Sequence, residues 1–266
     1  MENRVWFVTG ASSGIGLALA KMLCARGERV AATSRNGTVL QERLGASSSS
    51  LLPLQVDITD EEQVRDALKQ TIEHFGRLDV LVNNAGYAQT GAVEELSDAE
   101  IRGQFDINVF AVFNVLRHGI PYLRKQDAGY IFNIASIAGF KGFDMAGAYC
   151  ASKFAVDGIS HTLASELKRF GIRVVGVKPG AIETNFFNAL TDTGEPIDAY
   201  RHDDSGDSTI TKMLPVDVVA KAIIDASEEP EPPVDLFIGQ DAYAAARNRI
   251  KDTLTDIART EARYDL

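Results

Sequence analysis

Cysteine is nearly missing: Cys24 and Cys150 are the only two in 266 residues, and neither sits in a CxxC or Cys/His spacing. That argues against a disulfide scaffold or a zinc site, and for buried thiols in a reducing compartment. Histidine is scarce too. His74, His118, His161 and His202 form no ligand-spaced pair, so no metal is expected. Positive charge is in deficit: 27 Lys and Arg against 37 Asp and Glu leave a net charge of −10. Such a balance speaks against a nucleic-acid partner or an anionic membrane surface. Long apolar runs are absent as well, and none approaches the roughly 20 residues of a membrane span. No basic n-region or cleavage site precedes Val5. No signal peptide is read there, and the cytoplasm is the expected location.

What is present suits a folded body. Hydrophobic residues make up 45% and charged residues 24%, enough for one core-bearing domain spanning residues 1–266. Seven short β-branched or apolar runs recur, at 4–9, 29–34, 51–57, 78–84, 129–136, 172–179 and 234–239, and helical patterns follow the first six. That alternation predicts an α/β fold: a doubly wound parallel sheet, right-handed crossovers, and helices on both faces. Over 60–75, Thr59 is expected to cap the first turn with Glu62 reaching back to it, while Val64, Leu68 and Ile72 line one face. Two segments break the rhythm. Residues 45–50, rich in serine, read as a flexible surface connector. The other, about 185–213, is long and polar yet holds Phe186, Phe187, Leu190, Ile197 and Tyr200, which suits a substrate lid.

Between the first run and its helix, Gly10, Gly14 and Gly16 are set in a G-x-x-x-G-x-G spacing. Missing side chains let the backbone turn sharply and bring the helix start close to a diphosphate. Free N–H groups and the positive end of the helix dipole then face the negative charge. Ser12 and Ser13 add hydroxyl donors, and Ile15 completes the loop. A strand–helix turn without a ligand is the plainer reading; the flanking elements favour the dinucleotide. An acidic residue closing the second strand would accept hydrogen bonds from both ribose hydroxyls of NAD. Here the strand closes on Ser34-Arg35-Asn36 with no carboxylate. A guanidinium at Arg35 suits a 2′-phosphate, so NADP(H) is the expected cofactor.

Tyr149 and Lys153 are spaced i, i+4 and share one helix face. Alone the pair is weak evidence. The run 129–136, however, delivers Ser136 to the carboxyl end of a strand, where open parallel sheets bind ligands. Add Thr9-Gly10-x-x-x-Gly14-x-Gly16, Asn83-Asn84-Ala85-Gly86, Asn108 and Pro179-Gly180-x-x-x-Thr184, in that order, and the chain resembles the short-chain dehydrogenase/reductase family over nearly its whole length. The resemblance implies a Rossmann-type, seven-stranded sheet and an Asn108–Ser136–Tyr149–Lys153 tetrad. Tyr149 would be general acid in reduction and general base in oxidation, and Ser136 would hydrogen-bond the substrate oxygen. A phenol with its pKa near 10 needs lowering, which the Lys153 ammonium is expected to supply. Asn108 either holds a water through its backbone or only kinks its helix. Lys153 would also hold the nicotinamide ribose. Thr184 and the Ile182 backbone, reached through Pro179 and Gly180, would orient the carboxamide. Asp57 and Ile58 either reach adenine or start a helix, and Asn84, Ala85 and Gly86 form a turn beside the cofactor.

For the substrate, Tyr87, Phe140, Phe143, Met145, Phe186 and Phe187 suggest an apolar wall facing Ser136 and Tyr149, with Phe143 and Phe186 in contact. A lipophilic ketone, aldehyde or secondary alcohol fits, as in the steroid- and retinoid-like carbonyl reductases that the chain resembles. Two rivals stand. One is a 3-oxoacyl-carrier-protein reductase that docks its acidic carrier on Arg102, Arg117, Arg124 and Lys125. The other is a nucleotide-sensing regulator without turnover, against which an intact tetrad argues. The family also implies a homodimer or homotetramer through helices at about 97–117 and 150–170, the first bearing an apolar stripe of Phe105, Val109 and Val112. Residues 242–264 read as an amphipathic helix that docks at the lid or on a neighbouring subunit.

Overall fold

The structure, a computed structural model, describes residues 3–183, 191–192, 197–200 and 213–264. Each apolar run becomes a strand: β1 Val5–Val8, β2 Arg29–Ser34, β3 Leu51–Gln55, β4 Val80–Asn83, β5 Gly129–Ile134, β6 Ile172–Pro179 and β7 Asp235–Ile238. All pair in parallel, in the order β7-β6-β5-β4-β1-β2-β3. The principal helices are α1 Gly14–Ala25, α2 Gly37–Leu44, α3 Glu61–Phe75, α4 Asp98–Phe105, α5 Ala111–Lys125, α6 Gly147–Leu167, α7 Val216–Glu228 and α8 Gln240–Tyr264. Among the described residues no helix is long and apolar enough to cross a membrane.

The strand period of two assigns the layers. Trp6 and Val8 of β1 pack with Leu19 and Leu23 of α1, Leu40 of α2 and Val219 of α7. Val5 and Phe7 point the other way, into Leu68 of α3, Leu116 of α5 and Val156 of α6. Both faces are covered, so β1 is buried along its whole length. Each large side chain so enclosed contributes about 1.5–3 kcal/mol. Because β1 lies between β2 and β4, the crossovers leave it in opposite directions and open a crevice at the carboxyl edge. Gly10, Arg35, Asn84, Ser136 and Gly180 all follow strands at that edge.

Three local departures have physical reasons. Asp60, not Thr59, caps α3, accepting from the N–H of Glu62 (2.9 Å) and Gln63 (3.1 Å). A carboxylate is the stronger acceptor, and the Thr59 hydroxyl instead donates to Asp57 (2.7 Å). Between α4 and α5, Asp106–Phe110 forms a π turn, with the Ala111 N–H reaching back to the Asp106 carbonyl. Of the apolar stripe, Phe105 is half-buried. Val109 and Val112 are buried against the body, and the exposed aromatics are Phe110 and Phe113. The 185–213 segment, with Phe186, Phe187 and Leu190, lies largely outside the described residues. Of its described parts, Thr191–Asp192 pairs with Gln89–Thr90, Ile197 donates its N–H to Glu95 (2.6 Å), and the Tyr200 hydroxyl donates to Glu94 (2.6 Å).

Candidate active site

At the end of β1 the Thr9 hydroxyl accepts from the N–H of Asn84 (2.9 Å) and of Ala85 (3.1 Å). Asn84 Nδ2 donates in return to the carbonyls of Thr9 (2.8 Å) and Gly10 (3.1 Å). The ends of β1 and β4 are laced together behind the glycine loop, which makes the work of Asn84 structural. Gly10 has a φ of +65°, and a Cβ on it would fall 2.8 Å from Ala85 Cα. No side chain is admitted there. Helix α1 then begins bare: Ser13 makes no side-chain cap bond and the first turn holds no acid. By contrast α3 starts with Asp60, Glu61 and Glu62, and α4 with a capping box between Ser97 and Glu100. The uncapped N–H groups of Gly14, Ile15 and Gly16, at a positive dipole end, fit a dinucleotide's diphosphate.

Beside this loop Ser34 Oγ donates to Ser12 Oγ (3.0 Å), and Arg43 of α2 donates from Nη1 to the Ser12 carbonyl (2.6 Å). No motif signals Arg43; it arrives because α2 folds back over the loop. Arg35, exposed at the end of β2, is close enough to act on the Tyr87 phenol. Asp57 accepts from the Thr59 N–H (3.0 Å) and starts the turn into α3. Ile58 is buried and its carbonyl accepts from Asn114 Nδ2 (3.2 Å).

Further along the edge, Ser136 caps a short 3-10 turn, Ile137–Gly139, its Oγ accepting from the Ala138 N–H (3.1 Å). The Tyr149 side chain hydrogen-bonds Ser136. One turn on, Lys153 is buried; its Nζ donates to the Ile134 carbonyl (2.8 Å) and lies 5.8 Å from the centre of the Tyr149 ring. Burial pushes the Tyr149 phenol up to about 12, with the Ser136 hydrogen bond pulling it back, and pushes Lys153 down to about 8. Exclusion of water is the larger effect on both groups, and it opposes the lowering of the phenol expected of the Lys153 ammonium.

Asn108 sits within the π turn. Its Oδ1 accepts from the Tyr87 N–H (3.1 Å), and its Nδ2 donates to the Tyr87 carbonyl (3.0 Å) and to Ser152 Oγ (3.0 Å). Ser152 Oγ donates to the Tyr149 carbonyl (2.8 Å). A Cβ on Gly86 would lie 3.0 Å from Asn108 Oδ1 and 3.6 Å from Lys153 Nζ. Thus Asn108, Ser136, Tyr149 and Lys153 are brought together from three elements, the π turn, the end of β5 and α6, with Gly86 beside Asn108 and Lys153. Behind them Asn83 Nδ2 donates to Asn133 Oδ1 (2.8 Å), and Asn133 Nδ2 to Ser160 Oγ (2.9 Å). This buried relay bolts β4 and β5 to α6; its only sequence signal is asparagine inside apolar runs.

At the far side, Pro179 ends β6 and the Ala181 N–H donates to Asp241 of α8 (2.7 Å). Gly180 leaves room for that carboxylate. Ile182 is buried, and Thr184 lies outside the described residues. The wall is partly corrected. Phe140 packs edge-on against Phe237 (5.3 Å between ring centres) and joins the cluster under α8. A Cβ on Gly103 would meet the Tyr87 hydroxyl at 3.2 Å, which puts that hydroxyl on α4. Phe143 stays exposed, with Lys141 Nζ 5.6 Å from its ring centre, and Phe186 lies outside the described residues. Elsewhere Asp157, His161 and Asp235 come together, but the buried Lys178 ammonium pairs with both carboxylates and supplies the positive charge.

The short chain dehydrogenase family model matches residues 4–195. Oxidoreductase BOA17 of Botryotinia fuckeliana is 34% identical over 252 residues, 92% of each chain. The 3-ketodihydrosphingosine reductase of Bacteroides thetaiotaomicron is 42% identical over 186 residues, 70% of this chain and 66% of that one. A short-chain dehydrogenase crystal structure from Streptomyces avermitilis superposes with a TM-score of 0.90 at 32% identity, covering 98% of this chain and 97% of that one. With likeness this extensive in sequence and in fold, the chain belongs to the short-chain dehydrogenase/reductase family, oxidoreductases that bind a nicotinamide cofactor and act on CH–OH and C=O groups.

Proposed function

We propose that this chain transfers a hydride between NADP(H) and a lipophilic ketone, aldehyde or secondary alcohol. The convergence of Ser136, Tyr149 and Lys153 carries the reading. When bound, the dinucleotide supplies or accepts the hydride. The Tyr149 hydroxyl gives its proton to the substrate oxygen in reduction and recovers it in oxidation, while the Ser136 hydroxyl donates a hydrogen bond to the same oxygen. A phenol pushed up to about 12 holds its proton at neutral pH, but it gives that proton up readily only when its pKa is brought back toward neutral. The base role needs added positive charge, which Lys153 and the oxidised cofactor contribute. Asn108 steadies the Tyr87 backbone and α6 behind this pair, with or without a backbone-held water.

Arg43 beside Ser12, and Arg35 with no carboxylate at the close of β2, support NADP(H) over NAD(H). A relative named as a reductase of 3-ketodihydrosphingosine, a ketone on a long alkyl chain, supports a lipophilic substrate, and exposed Phe143 offers it a surface. The carrier-protein reading is weaker. Arg102 pairs with Asp98 (2.7 Å) and Arg117 with Glu61 (2.9 Å), so two of the four cations of the expected carrier patch are engaged by acidic neighbours, with Arg124 and Lys125 remaining. The proposal includes a cytoplasmic enzyme with a lid over 185–213.

A panel of long-chain, polycyclic and short ketones and aldehydes, scored by NADPH consumption, tests it. Turnover should appear with the lipophilic members and vanish in Tyr149→Phe, which still binds cofactor. Full activity of Tyr149→Phe, or no consumption with any carbonyl, refutes the proposal.

A further inference from the structure

Helix α8 leaves the body early. Ala242 and Ala246 are buried in a cluster with Ile137, while every residue from Arg247 to Tyr264 is exposed, about 27 Å of helix at 1.5 Å per residue. A lone helix of that length is marginal in water, and its side chains are not those of a solvated spacer. Tyr243, Ile250, Leu254, Ile257 and Tyr264 are 39, 49, 61, 48 and 57% exposed. They lie on one seam with alternating steps of four and three: Tyr243, Arg247, Ile250, Leu254, Ile257, Glu261, Tyr264. That is the 3.5-residue repeat by which helices pair side by side.

The seam also has a centre. On either side of Leu254 comes an isoleucine, then a charged residue, then a tyrosine, and the two charges are opposite. Two copies laid antiparallel about Leu254 bring Arg247 against Glu261 of the partner subunit, twice, with Ile250 beside Ile257 and Tyr243 beside Tyr264. Parallel pairing would instead set arginine on arginine and glutamate on glutamate. We propose that α8 is a dimerisation arm that pairs, antiparallel and with two-fold symmetry, with α8 of a second copy of this chain.

The test is a charge-swap series read as assembly mass by sedimentation. Leu254→Asp should halve the mass of the wild-type assembly. Arg247→Glu and Glu261→Arg should each raise the concentration for half-dissociation by roughly tenfold or more, because each sets two like-charge contacts across the pair. The double variant Arg247→Glu/Glu261→Arg should regain the mass, as should an equimolar mixture of the two single variants. Residues 247 and 261 stand fourteen positions apart, about 21 Å, so no contact within one helix can produce that rescue. Circular dichroism and cofactor binding verify that each variant is folded. A monomeric wild type, a mass indifferent to Leu254→Asp, or a double variant as dissociated as the singles would overturn the arm.

Discussion

Lys153 holds its ammonium in a buried place where a cation destabilises the fold. Its pKa falls from 10.5 to about 8 through burial alone, so the native state releases the proton before the unfolded chain does. Between those values the unfolded state binds more protons, and stability rises with pH. The benefit is complete above about 10.5 and is lost as pH falls through about 8. Tyr149 acts in the opposite sense: raised from 10 to about 12, it keeps stability whole below 10 and loses it as pH climbs toward 12. In denaturant titrations without cofactor, the wild type should gain about 3 kcal/mol from pH 8 to 10.5 relative to Lys153→Met. Parallel curves for the two proteins across that window would contradict the burial argument. The residues themselves were legible because the family's motif spells them out. Their environment was not: the sign of the pKa change depends on how much water α6 and the β5 turn exclude, which no spacing encodes. Arg43 and Asp241 were invisible for a related reason, since each reaches its partner only after a helix folds back on a loop.

At the scale of elements, the strands were plain because a strand covered on both faces must be an unbroken apolar run. Helix starts were harder. Thr59 and Asp60 are adjacent acceptors, and hydrogen-bond strength decided between them. The π turn left no trace in the periodicity, and within it Asn108 and Val109 are buried while Phe110 faces water. The joint between β6 and α8 is another element-level device, in which the Asp241 carboxylate occupies the space beside Gly180 and accepts from the Ala181 N–H (2.7 Å). Gly180→Ala puts a methyl into that carboxylate and should cost about 1–3 kcal/mol. In an Asp241→Ala background the obstacle is gone, so the same substitution should cost much less. Thermal melts of the four proteins give the coupling directly. Strict additivity would mean that Gly180 is required for some other reason.

For the whole molecule, charge sets up a contest. The chain carries a net −10, which repels a polyanionic nucleotide at long range, yet Arg35 and Arg43 lie beside the loop that would receive the adenosine end. Within a Debye length of about 8–10 Å local cations prevail over net charge, so the extra phosphate of NADP+ should be an advantage. A ligand bound only to the native state stabilises the entire fold, by about 2.7 kcal/mol at a hundred times its dissociation constant. For a protein of this size each kcal/mol raises Tm by roughly 2–4 °C. A tenfold affinity difference is about 1.4 kcal/mol and therefore separates the two cofactors by about 3–6 °C at equal saturating concentration. NADP+ should raise Tm more than NAD+ by that margin. Arg35→Asp should reverse the order, since it removes a cation and sets a carboxylate at the close of β2 where ribose hydroxyls can donate to it. Identical shifts for both cofactors in the wild type, or an NADP+ preference that survives Arg35→Asp, would remove Arg35 from phosphate recognition while leaving the Ser136–Tyr149–Lys153 chemistry intact.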